Sequence, residues 1–153
     1  MKGQLFIIIY KIETAEVFMN KKEVTITYTS HMYDTDDRVN TTAKGIFGTK
    51  DGVNIVMYIE ENEGMEPTRT ILKFNQDFLD VTKMGATKSK MHYESGYTHN
   101  SIYHTFFGDC DMCIKTEEYI LEEIDNSYKI TTLYNLEMNG NFISKCKVEI
   151  EIK

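Results

Sequence analysis

The stretch Tyr128–Lys153, YKITTLYNLEMNGNFISKCKVEIEIK, alternates twice around a central Asn-Gly. Tyr128, Ile130, Thr132, Tyr134, Leu136 and Met138 interleave with Lys129, Thr131, Asn135 and Glu137. Past the dipeptide, Phe142, Ser144, Cys146, Val148, Ile150 and Ile152 share one face; Lys145, Lys147, Glu149, Glu151 and Lys153 share the other, with Ile143 the apolar exception. Period two is the mark of a half-buried strand. Asn139-Gly140 readily takes the positive φ angles of a two-residue hairpin turn. The stretch therefore reads as one long β-hairpin.

The same period recurs upstream. Val24, Ile26 and Tyr28 alternate with Thr25, Thr27 and Thr29 in a strand expected over Glu23–Tyr33. The polar Asp34–Asn40 reads as a loop. Thr41–Phe47, Val53–Glu60, Thr68–Phe74, Phe78–Met84, Lys88–Glu94, Ser101–Phe107 and Met112–Ile120 follow, with turn signals between them. The best helical alternative is Thr116–Ile124. So many sequential strands predict an all-β, single, closed, antiparallel up-and-down β-barrel of about 8–10 strands, because closure removes exposed edges.

The bulk properties agree with one small globular domain. The chain has 153 residues, enough to bury roughly two-thirds of its unfolded surface without staples. Hydrophobic residues make up 41% and charged residues 27%, which excludes a disordered chain. The formal net charge of −7 and the scattered lysines argue against nucleic acid as a partner. The acidic runs, Glu60 to Glu66 and Glu117 to Asp125, read as solvated faces. Three cysteines, Cys110, Cys113 and Cys146, and no signal-peptide pattern point to a reducing compartment. The apolar run Leu5–Tyr10 is too short to span a membrane. The expected location is cytoplasmic, with no membrane partner, and oligomeric state is not legible. Residues 1–21 read as an extension ahead of a barrel domain at 22–153. Translation starting at Met19 and an extra strand or plug over residues 1–18 are both open.

Tyr103-x-Thr105-x-Phe107-Gly108, Met112-x-Ile114-x-Thr116 and Tyr134-x-Leu136 carry a family resemblance, with Thr70-Ile71-Leu72-Lys73 and Met91-x-Tyr93-x-x-Gly96 upstream. From Lys22 to Lys153 the chain resembles the YwiB-like family of uncharacterised bacterial β-barrel proteins. Family members often carry Arg where this chain has Met84, before Gly85. The resemblance implies a calycin-like barrel, the architecture of lipocalins and fatty-acid-binding proteins, and implies no activity. With 0 Trp, the lipocalin G-x-W signature is absent.

Chemistry is sparse. Cys110-x-x-Cys113 lacks a second ligand pair for zinc and a helix start for redox work, so small apolar fillers are the expectation. Asp34-x-Asp36-Asp37 lacks the Gly and terminal Glu of a calcium loop and reads as a solvated turn. No metal, cofactor or catalytic residue is assigned. An enzyme reading would need His92 and His104 to meet across neighbouring strands inside the barrel. The 10 Tyr and 8 Phe are more suggestive, because an aromatic and hydroxylated lumen suits a small amphipathic ligand. Tyr103, Thr105, Phe107, Thr116 and Tyr134 are the candidate lining. Arg69 and Lys73, among Lys83, Lys88 and Lys90, are the candidate partners for an anionic head. The alternatives are an interior filled by side chains and a protein-interaction barrel acting through its outer face.

Overall fold

The computed structural model describes residues 19–61 and 63–153. The alternatives for residues 1–18 lie outside them; residues 19–21, placed in the extension, already belong to the first strand. Ten strands run β1 Met19–Met32, β2 Asp37–Lys50, β3 Val53–Glu60, β4 Thr68–Phe74, β5 Leu79–Met84, β6 Lys88–Tyr93, β7 Thr98–Thr105, β8 Gly108–Ile124, β9 Ser127–Met138 and β10 Asn141–Ile152. Each pairs antiparallel with its sequence neighbours, and β1 closes the barrel on β10 from Ile26↔Ile152 to Met32↔Cys146. Thr116–Ile124 is strand, not helix.

The decisive hairpin forms in the expected phase, with Ile130 opposite Ile150 and Thr132 opposite Val148. Asn139 and Gly140 take φ of 52° and 79°, the left-handed pair that matches strand twist in a two-residue turn. Asp51-Gly52 and Asp125-Asn126 use the same device. A bulge between Thr116 and Glu118 leaves Glu117 unpaired on β8. It resets the phase, so Thr116, Tyr119 and Leu121 are all buried.

Two stretches depart from the sequence reading. Asp37–Asn40 belongs to β2, so the loop is shorter than expected. Only Gly45–Lys50 of β2 pairs with β3; residues 37–44 pair with β1 alone, and that part of β1 pairs on its other side with β10. Phe107 is outside the strand that holds Tyr103 and Thr105, in the β7–β8 turn.

Up-and-down order puts the β1–β2, β3–β4, β5–β6, β7–β8 and β9–β10 turns at one end, the upper end. The lower half of the lumen is filled. Phe47 and Phe74 pack on Tyr128 at ring distances of 5.5 Å each. Leu79, Leu121 and Ile130 complete a dry base, and Tyr119 seals it by donating its hydroxyl to the Asn75 carbonyl (2.8 Å). Gly45 lies where β1, β2 and β3 crowd together. A Cβ there would meet the Met57 carbonyl, Ile26 Cδ1 and Tyr58 Cβ.

Candidate functional site

Above the dry base the lumen becomes polar. In β5, Leu79, Val81 and Lys83 share one face, so the strand that buries two aliphatic side chains also turns Lys83 inward. Across the sheet, Tyr58 pairs with Thr70 and Thr70 with Lys83; Glu60 follows Tyr58 two residues on. Glu60 thus accepts from Lys83 Nζ at 3.3 Å and from Thr70 Oγ1 at 3.2 Å. Both charged side chains are about four-fifths buried, at 23% and 20% exposure. The Lys83 ammonium also sits over the Tyr28 ring, 5.6 Å from its centroid, a favourable cation–π arrangement.

Four tyrosines converge on this ion pair and the lumen beneath it. Tyr58 and Tyr93 are almost fully buried. Tyr93 and Tyr134 stand edge to face at 5.0 Å, and the Tyr93 hydroxyl donates to Met91 Sδ at 3.3 Å. Burial, followed by the charge of Glu60 and then Cys146, pushes the Tyr28 phenol up to about 12. Burial, then Glu60 and Tyr28, raise Tyr58 too. Burial is also the main cause that raises Tyr93 and Tyr134. All four phenols are therefore neutral near pH 7, each with its O–H donor intact. Thr116 Oγ1, on the strand beside Tyr134, is buried without a hydrogen-bond partner. Buried hydroxyls of that kind are rare and call for an explanation.

The sequence-predicted residues divide. Thr116 and Tyr134 are buried and adjacent in register. Tyr103 is half-buried against the core. Thr105 stays at the strand end, where its hydroxyl donates to the Gly108 carbonyl (2.7 Å) and accepts from the Phe107 amide (3.2 Å). Three placements are corrected. Phe107 is 96% exposed at the hairpin tip and lines nothing. Arg69 and Lys73 alternate with the inward Thr70, Leu72 and Phe74, so both lie on the outer face of β4. Lys83 is the cation of that group that enters the lumen. Its phase with Leu79 and Val81 was readable, as was that of Tyr28 with Val24 and Ile26.

His92 and His104 do not meet inside. His92 lies on the outer face, where Nδ1 contacts Asp80 at 2.6 Å and Nε2 contacts Glu94 at 3.0 Å. Both ring nitrogens are held by carboxylates, so neither is left to act as a base. His104 pairs separately with Asp109 at 2.8 Å. Cys110 and Cys113 are free thiols three residues apart on β8. Asp34 accepts from Ser144 Oγ and the Lys145 amide at 3.1 and 2.9 Å, tying the first turn to β10. Among the described residues, no His, Cys, Asp and Glu group is arranged to hold a metal. No helix there is long and apolar enough to cross a membrane.

A closed antiparallel meander of ten strands, dry at one end and polar at the other, defines a calycin-like barrel. The chain belongs to the family described as a domain of unknown function, DUF1934, whose profile matches residues 24–150. It is similar to the crystal structure of ywiB protein from Bacillus subtilis, with a TM-score of 0.78 and 17% identity. That match covers 92% of this chain and 96% of the other. The likeness is one of fold, and the YwiB-like family expected from the sequence is the family found. No curated protein matches the chain significantly.

Proposed function

We propose that the barrel is a binding module for a small amphipathic molecule with an anionic head, held at the upper mouth. The observation that carries this reading is the inward Glu60–Lys83 pair at the mouth, above a cluster of buried tyrosines. An ammonium has three N–H donors; one serves Glu60, leaving others for an incoming carboxylate. Neutral phenols supply ring area and directional donors, the mix expected of a ligand site. The filled base confines the ligand to the upper half. Thr116 Oγ1 offers a further polar contact deeper in the lumen.

The test is a thermal-shift and native mass spectrometry comparison of octanoate, benzoate and octanol. Octanoate or benzoate should raise the melting temperature of the wild type, octanol should not, and Lys83→Met should abolish the effect. Equal shifts in wild type and Lys83→Met would sink the proposal, as would no shift from either carboxylate.

A second reading has its own observation. Phe106 and Phe107, 86% and 96% exposed, stand together at the β7–β8 tip. Paired exposed rings suit a protein partner, and Phe106→Ser/Phe107→Ser would then change sedimentation behaviour without changing ligand shifts.

A further inference from the structure

The barrel wall is not equally closed all round. β5 and β6 are in register from Leu79↔Tyr93 to Met84↔Lys88, and β7 and β8 from Thr98↔Lys115 to Thr105↔Gly108. Between β6 and β7, Lys88↔His104 is the one register pair among the described residues. Below it the two strands run on without a ladder. A side chain spans the break: His99 Nε2 donates to the Lys90 carbonyl at 3.3 Å. His99 sits opposite Ile114 and has the inward phase of β7, whereas His92 sits opposite Asp80 and has the outward phase of β6. In a paired sheet the backbone layer keeps such side chains apart. Here the two ring centroids are 6.0 Å from each other. On the luminal side of the break, Ser101, opposite the core residue Met112, has its Oγ buried without a hydrogen-bond partner.

We infer that the β6–β7 seam is a side entrance to the lumen, latched by His99, through which the amphipathic anion enters and leaves; its cargo rests on the binding reading above. Paired strands part only by breaking their ladder bonds. Across the seam one side-chain bond stands in for them, so the seam opens by local motion while the rest of the wall stays paired. Charge favours this route over the upper mouth. The upper turns carry Asp34, Asp36, Asp37, Glu61 and Glu63, all exposed, and their field repels an approaching anion. Arg38 and His31 at that end contact Asp36. β6 instead turns Lys88 and Lys90 outward beside the seam, both exposed, and His92 engages the neighbouring Asp80 and Glu94. The seam also leads to the anchor. Ser89, buried on the luminal side of β6, is the register partner of Lys83, which places β5 and its ammonium one strand spacing away, ~4.8 Å. A carboxylate entering here reaches Lys83 without drawing its apolar tail past the charged mouth. Met91 and Tyr103, packed against the core, offer that tail apolar surface on either side of the path.

The experiment uses the full chain with Lys90→Cys and Ile102→Cys, in a Cys110→Ser/Cys113→Ser/Cys146→Ser background. Continuing the Lys88↔His104 register sets these two positions opposite each other, both exposed. An ethylene-bridged bis-methanethiosulfonate staples them, checked by mass, and a reductant releases the staple. Stopped-flow binding of octanoate should show association and dissociation each at least tenfold slower in the stapled form, with Kd unchanged. Equal rates before and after release overturn the inference, as does a changed Kd with either rate unaffected. Amide hydrogen exchange on the ligand-free wild type gives a second readout. Seam-facing amides of β6 and β7 should exchange at least tenfold faster than those of Ile130 and Ile150, without dependence on low urea, and faster still in His99→Ala. Seam amides as protected as Ile130 and Ile150 also overturn the inference. If octanoate binds neither form, the binding reading fails, and the exchange result alone decides whether the wall opens here.

Discussion

Substituting Lys83 by Met removes the one positive charge beside Glu60 inside the mouth. Two unit charges 3.3 Å apart attract by roughly 5 kcal/mol at an effective dielectric of ~20 and by roughly 1.3 kcal/mol in bulk water. The side chains keep 23% and 20% of their exposure, so solvent screens the pair and the lower part of that interval applies. Desolvation of both groups offsets more. A net coupling of about 1–2 kcal/mol remains. Lys83→Met also leaves a part-buried carboxylate that keeps the Thr70 hydroxyl but loses its ammonium. That variant should lose about 2–3 kcal/mol, a fall in melting temperature of roughly 4–12 °C for a chain of this size. Glu60→Gln should cost about 1–2 kcal/mol. The double variant should be more stable than the sum of the single losses by the coupling. Urea denaturation at pH 7 with linear extrapolation measures all four corners of the cycle. Losses that add to within ~0.3 kcal/mol would show that the two side chains are solvated independently, and the mouth would then lack its anchoring charge pair.

Gly45→Ala should destabilise by about 1–3 kcal/mol. Its added carbon meets the Met57 backbone carbonyl, which cannot swing aside; a neutral result in the same denaturation assay would mean the β1–β3 crossing is looser than described. Thr116→Val removes a buried hydroxyl without a partner and should stabilise the chain by about 1 kcal/mol, read as a higher denaturation midpoint; a loss of stability would reveal a bond to that oxygen. At His92, burial pulls the imidazole down, but hydrogen bonds to Asp80 and Glu94 and the charges of both outweigh it and leave the folded group raised. The stability that His92 contributes is then full below the unfolded value of ~6.5 and lost as pH rises through the higher folded value. The melting-temperature gap between wild type and His92→Asn should narrow from pH 6 to pH 9, and an NMR titration midpoint at or below ~6.5 would contradict the two-carboxylate clamp.

The barrel was legible where one side of a strand meets the core and the other meets water. The β9–β10 hairpin satisfies that condition along its length, and its turn chemistry is unambiguous, so phase and register followed from the residues alone. The signal failed where the condition failed. Asp37–Asn40 reads as loop because β3 does not reach that part of β2 and all four residues are exposed. Phe107 continues the apolar alternation of Tyr103 and Thr105, yet the Thr105 hydroxyl bonds turn the chain before Phe107 can face inward. The cations were chosen by composition, which cannot separate Lys73 from Lys83; only their phase relative to Phe74 and Val81 does so. Ile46, Ile55 and Met57 face outward from β2 and β3 in a stretch that is apolar on both faces. Such a run gives no alternation from which to read which face is inward.

That contrast locates what this barrel spends stability on. Along β3, Val56, Tyr58 and Glu60 point inward; along β5, Leu79, Val81 and Lys83 do. In both strands the inward side chain at the upper end is charged where a core residue would stabilise more. Thr70 links the two exceptions, paired in register with Lys83 and donating its hydroxyl to Glu60. A filled barrel needs neither, since replacing a buried ion pair with packed aliphatic side chains is often neutral or stabilising. Sequences that break the inside–outside rule at one place, with the breaks matched to each other, usually do so where the molecule has work to do. The charged residues of the outer face break no such rule. The upper mouth, with its matched charges, neutral phenols and the unpartnered Thr116 hydroxyl below, is therefore where chemistry should first be sought in this family's fold.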